Sequence, residues 1–94
     1  MERLKNKMGH RILNVKVTKV DLGANKLVIK RKKVRAGKAR YLKNIFLLDA
    51  HTLITNRNNQ TAILLEIKVG NRVTIDFTKT QDRKLLAKGI SILN

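Results

Sequence analysis

Eight cationic side chains, Lys30, Arg31, Lys32, Lys33, Arg35, Lys38, Arg40 and Lys43, follow one another with no acidic residue between them. The chemistry open to such a run is capture of a polyanion, because ammonium and guanidinium groups are permanently charged donors at neutral pH. Gly37 lies near the middle of the run, so a turn there brings its two halves within a Debye length of about 8–10 Å. Like charges crowded in this way destabilise the isolated fold and are relieved by an anionic partner. Among polyanions, nucleic acid is the expected partner of a basic domain this small. Lys outnumbers Arg 14 to 8, and the lysine ammonium lacks the fork that reads guanine. The expected mode is therefore phosphate-backbone contact of low sequence preference, on DNA or RNA. Tyr41, between Arg40 and Lys43, is the one ring expected to stack on a base, and Arg11, Lys16 and Lys19 extend the patch along a neighbouring strand.

Other chemistries have few residues to work with. There is no cysteine, which excludes disulfides, thiolate catalysis and Cys-based zinc sites. Two His, one Ser and six scattered acids give no convergent set of titratable groups. Asp49 and His51, two apart, would share a strand face as a metal or acid/base pair, but no third ligand is marked. The five glycines are too dispersed to cradle a phosphate together. The expectation is a non-enzyme with no cofactor and no metal. The other two aromatics, Phe46 and Phe77, lie in apolar patterns and read as core.

The elements that must position these residues come from a 94-residue chain of net charge +16, enough for one domain with a thin core. Residues 1–48 hold 15 of the 22 Lys and Arg and two of the six acids, and so carry +13 of that charge. With 13 Leu, 9 Ile and 7 Val spread along it, the chain is not a charge-based disordered tail. No apolar run approaches the roughly 20 residues of a membrane-spanning helix, and the basic start has no apolar stretch behind it to make a signal peptide. Residues 1–10 read as a disordered start and 11–94 as a single barrel domain. The charge places the protein in the cytoplasm, or in the cell envelope if a leader has been removed.

The dominant hydrophobic period is two. Leu13-Asn14-Val15-Lys16-Val17-Thr18 alternates as a half-buried strand does, and the turn-rich Asp21–Asn25 leads into Lys26–Arg31, a first hairpin. Arg35–Arg40 reads as a second connection, after which Tyr41–Leu48 resumes a strand. A short segment at His51–Thr55, a clean strand at Arg72–Phe77 and a last one within Lys84–Leu93 follow. Thr61 would cap one or two helical turns over Thr61–Ile67. Five to seven short strands and one short helix predict an all-β fold, a small antiparallel OB-like barrel, with an SH3-like barrel as the alternative.

Val17–Asp21, Asn25–Ile29, Thr52–Thr55, Ile67–Val73 and Ala87–Ile90 together resemble a family of small bacterial OB-like β-barrel domains that often sit in exported proteins. The resemblance spans residues 15 to 93. It implies the barrel and carries over no catalytic residues, and the charge of this chain departs from the near-neutral balance usual there. The expected function is a non-catalytic nucleic-acid-binding module. The alternative is an interaction domain docking on an acidic protein, an anionic membrane surface or an acidic polysaccharide. An amphipathic helix with a cationic face, which membrane docking would favour, is not apparent in the sequence.

Overall fold

Alternating side chains carry the chain through seven strands in the computed structural model, which describes residues 9–94. They are β1 (His10–Asp21), β2 (Lys26–Arg35), β3 (Lys38–Leu47), β4 (Leu53–Thr55), β5 (Thr61–Ala62), β6 (Arg72–Lys79) and β7 (Leu85–Ile92). Of the expected disordered start, residues 1–8 lie outside the described residues, and His10 is the first residue of β1.

The strands form one sheet in the order β3-β2-β1-β6-β7-β4-β5, and a parallel contact of Phe46 and Leu47 with Leu85 and Leu86 joins β3 to β7. That contact closes β3-β2-β1-β6-β7 into a ring, which removes most sheet edges. The architecture is the OB-like barrel, not the SH3-like one.

Closure requires a strand that serves two neighbours, and β1 does so. Its second half pairs with β2 from Lys16 to Asp21, and its first half pairs with β6 from His10 to Lys16. Register shifts between Ile12 and Val15 and between Val17 and Lys19 mark bulges that bend it around the barrel. Asn14, at φ +50, sits in the first of these bulges. The inward side chains build the core: Val15 and Val17 from β1, Leu27 and Ile29 from β2, Phe46 from β3, Val73 and Ile75 from β6, and Ala87, Ile90 and Ile92 from β7. Phe46 is fully buried, and its ring meets Phe77 edge-on at 5.0 Å.

Two expectations are corrected. Thr61 does not cap a helix: Thr61 and Ala62 pair with Thr55 and Ile54 as β5. Helical structure shrinks to one 3-10 turn at Leu64–Glu66. There the Glu66 carboxylate accepts the Ile63 N–H at 3.1 Å, and burial of Ile67 pulls the chain out of the turn and into the core. Arg35–Arg40 is likewise no loose connection. β2 and β3 stay paired without a break from Lys26↔Leu47 to Arg35↔Lys38, leaving only Ala36 and Gly37 to turn.

Candidate functional site

The long β2–β3 hairpin gives the basic run its geometry. Ala36 and Gly37 both take positive φ, +52 and +78, the pattern of a type I′ turn, whose twist matches that of the flanking strands. Glycine adopts this freely, whereas an alanine in the left-handed region costs about 1–2 kcal/mol. From Lys30 to Arg35 and from Lys38 to Ile45 no side chain is buried, and only Arg31 and Asn44 are half-buried. The outer part of the hairpin is thus an arm standing off the barrel.

Residues opposite one another in a sheet share a face, so the register sorts the arm's charges. One face extends the core side beyond Ile29 and carries Arg31, Lys33, Arg35, Lys38 and Arg40. Asn44 belongs to it, and its Oδ1 accepts the Arg31 Nε–H at 3.0 Å. The other face carries Lys30, Lys32 and Lys43 interleaved with Val34, Tyr41 and Ile45. Val34 is 63% exposed, Tyr41 60% and Ile45 52%. Tyr41 does not offer both ring faces to solvent, because Lys30 Nζ lies 4.8 Å from its centroid, a cation–π contact.

The row continues off the arm. Lys30 stands opposite Lys43 on β3 and opposite Lys16 on β1, and Lys16 stands opposite Arg72 on β6. Four cations, Lys43, Lys30, Lys16 and Arg72, therefore cross four adjacent strands on the barrel's outer surface. Like charges directly opposite are destabilising. Arg72 Nη1 donates to the Asn14 carbonyl at 3.2 Å, which anchors the end of the row. Among the described residues the ion pairs are Arg11 with Asp76 and Lys84 with Asp82, so no carboxylate there pairs with the row or the arm.

Where β1 leaves β2 to join β6, a cleft opens. Its volume is about 950 Å³, with Arg11, Leu13 and Lys16 on the β1 side, Lys30, Lys32 and Tyr41 on the arm side and Arg72 contributed by β6. Arg11 lines it, but its Nε is held by Asp76 Oδ1 at 2.6 Å. Lys19 is exposed opposite Val28, at the end of β1 away from the arm tip. The structure thus brings Lys30, Arg31, Lys32, Tyr41, Lys16 and Arg11 together around the cleft, with Lys43 beside it opposite Lys30. Lys33, Arg35, Lys38 and Arg40 lie farther out on the arm, and Lys19 stands apart. Arg72 and Leu13 were missed, since only the β1–β6 register and the Asn14 bulge put them there.

Asp49 and His51 form neither a metal site nor an acid/base pair. They lie in the loop before β4, where Asp49 Oδ1 accepts the His51 backbone N–H at 2.9 Å. That bond, the charges of His51 and Lys88 and the Thr52 hydroxyl lower the Asp49 pKa below the ordinary aspartate value. The carboxylate shapes a turn. His10 stacks on Phe77 at 5.3 Å, and no three His, Cys, Asp or Glu gather among the described residues.

No family model and no curated protein matches this chain. Solved structures do. A copper(II)-bound CusF variant from Escherichia coli superposes with a TM-score of 0.65 at 21% identity, covering 98% of both chains. Apo-CusF from the same organism gives 0.61 at 20%, again over 98% of both. Silver(I)-bound CusF gives 0.59 at 20%, over 88% of this chain and 97% of that one. The fold is that of a small bacterial OB-like barrel.

These likenesses overturn the nucleic-acid expectation, for DNA and RNA alike. That expectation rests on charge in a small basic domain, and the solved barrels on which the chain superposes hold copper and silver ions instead. The outer face of the arm differs from a phosphate-tracking surface as well, since exposed Val34, Tyr41 and Ile45 separate its lysines. No helix among the described residues is long and apolar enough to cross a membrane.

Proposed function

We propose that this chain is a non-catalytic docking barrel of the bacterial cell envelope that holds an acidic protein surface against its cationic arm. The observation that carries the reading is the Lys43–Lys30–Lys16–Arg72 row, left without carboxylates among the described residues and flanked by exposed Val34, Tyr41 and Ile45. Carboxylates of a partner relieve the repulsion along the row, and its apolar side chains cover the residues between, so an acidic protein satisfies both halves of the surface. The resemblance to small barrels that often sit in exported proteins supports the envelope placement. The scatter of the titratable groups among the described residues supports a binding role without catalysis.

The copper and silver of the CusF structures are not carried over. Silver(I), a soft ion, is held by thiolate or thioether sulfur, and copper(II) by imidazole nitrogen and oxygen donors. This chain has no cysteine, and its two methionines, Met1 and Met8, lie outside the described residues. His10 and His51 sit on separate elements with no cluster around either. The donor set of the described barrel does not fit either ion.

The test is a fluorescence-anisotropy titration of the full chain with labelled polyglutamate over a range of salt. The expected result is binding that weakens as salt rises. It should fall roughly tenfold or more when Lys30, Lys32, Lys33 and Lys43, which include the arm's half of the row, are all changed to Ala, taking about 0.2–1 kcal/mol for each exposed charge. Equal binding by the variant, or none by the wild type at low salt, would overturn the reading.

A further inference from the structure

The cleft is bounded by free strand edges as well as by charge. β2 pairs with β3 along its whole length but with β1 only as far as Lys30, so Arg31–Arg35 has an unpaired side. Across the cleft, His10–Val15 of β1 pairs with β6 alone. In a two-residue hairpin the residues flanking the turn, here Arg35 and Lys38, exchange both backbone hydrogen bonds, and the alternation then runs back along the strand. The backbone N–H and C=O of Lys32 and Val34 therefore point away from β3, toward the cleft. The Thr18 hydroxyl, which donates to the Val28 carbonyl from the β1 side at 3.3 Å, fits the same alternation.

We infer that this edge takes an extended acidic segment of the partner as an added β-strand. The inference rests on the docking reading above and names the form in which the partner binds. Main-chain bonds to Lys32 and Val34 supply affinity independent of side chain, and the charges decide which strands enter. The added strand's alternate side chains fall on the two faces of the arm: one meets Lys30, Lys32 and Tyr41, and the other meets Arg31, Lys33 and Arg35. Exposed Leu13 and Val34 receive its apolar residues. The five residues of the free edge span roughly 17 Å at about 3.3–3.4 Å per residue. Edge lysines commonly guard against aggregation, and here they exclude a second copy of this +16 chain while admitting a strand of opposite charge.

The test titrates the full chain with a nine-residue peptide of alternating glutamate and valine. A second peptide of the same sequence is N-methylated at every other amide, so that one edge cannot donate hydrogen bonds. The expected result is a loss of tenfold or more on N-methylation, with slowed hydrogen exchange at the Lys32 and Val34 amides in the complex with the first peptide. Val34→Pro removes a donor that the hairpin does not use and should weaken the plain peptide severalfold more than it weakens the N-methylated one; if that variant unfolds, the exchange measurement still decides. Equal binding of both peptides with no protected amides would overturn strand addition and leave acidic docking standing. Failure of the peptides and polyglutamate together would overturn the docking reading too. Polyphosphate of matched charge protecting the same amides would overturn the choice of a peptide strand.

Discussion

One hairpin contains two different materials. At the barrel end of β2 and β3, Leu27, Ile29 and Phe46 are wholly buried, whereas beyond Lys30 the same two strands continue in unbroken register with nothing in the core. Backbone pairing is equal in the two halves, but apolar burial, worth roughly 25 cal/mol per Å², accrues only in the first. A bare two-stranded ribbon is marginal in water, and this one also carries repelling charges. The barrel half exists to fold, and the arm half is kept in shape by its register and its I′ turn for some other use.

The widest separation between the halves should appear on removing Phe46. Phe46→Ala leaves a cavity beside Leu27 and Phe77, and a buried Phe truncation costs about 3–5 kcal/mol, much of the stability of a domain this size. Denaturant unfolding should show a large fall in midpoint, while the four-alanine arm variant should keep its midpoint or raise it. A midpoint falling as far in the arm variant would mean that the arm is part of the folding unit.

A smaller effect of opposite sign is expected in the cation row. Lys16 stands between Lys30 and Arg72, so Lys16→Glu turns two repelling cross-strand pairs into attracting ones. Such pairs contribute roughly 0.2–1 kcal/mol each. For a 60–100-residue domain about 1 kcal/mol moves Tm by about 4–8 °C. The variant should melt several degrees higher at low salt, with the gain shrinking as salt screens it, and should bind polyglutamate less well than the wild type. A gain in stability with undiminished binding would separate the row from the docking site.

The barrel was largely legible in the sequence because period-two alternation survives wherever one face is buried: Val15 with Val17, Leu27 with Ile29 and Val73 with Ile75 all fall inward as their spacing requires. The arm was legible as charge but not as shape. Val34 and Tyr41 sit among cations whose alternation says nothing about a core, so strand pairing through Arg35 and Lys38 had no apolar signature. The helix expected at Thr61 failed because Ile63-Leu64-Leu65 fits a helical or a 3-10 turn equally, and the pairing of Thr61 and Ala62 with β4 is not local to that run. Arg72 joined the site for the same reason, through a partner 56 positions earlier in the chain, Lys16. Charge alone also misled the partner assignment. The field of a basic patch is blind to whether its counter-charge is phosphate or carboxylate, and neither the fold likeness nor the exposure of Val34 and Ile45 could be read from it.

The smallest effect concerns a region remote from the arm, the Asp49 turn, and tests whether the acid side of stability belongs to the barrel. The Asp49 carboxylate accepts the His51 N–H at 2.9 Å and lies within 3.4 Å of the Thr52 hydroxyl, whose own proton reaches the Ala87 carbonyl at 2.7 Å. The His51 bond is the largest cause lowering its pKa in the folded state. A carboxyl whose folded pKa lies below its unfolded value binds protons more readily once unfolded. Its stabilising contribution is therefore complete above the unfolded value, about 3.9, and is lost as pH falls through the folded one. Asp82, lowered chiefly by its hydrogen bond from the Thr80 hydroxyl, acts in the same direction. Melting curves from pH 6 to pH 2 should show Tm declining in the wild type through the acid range, less steeply in Asp49→Asn, and least in a variant that also carries Asp82→Asn. Both groups are fully exposed, so the differences should be small. An unchanged acid slope in the double variant would assign the acid sensitivity instead to repulsion among the cations, which grows as the acids lose their charge and which the Lys16→Glu variant would then relieve.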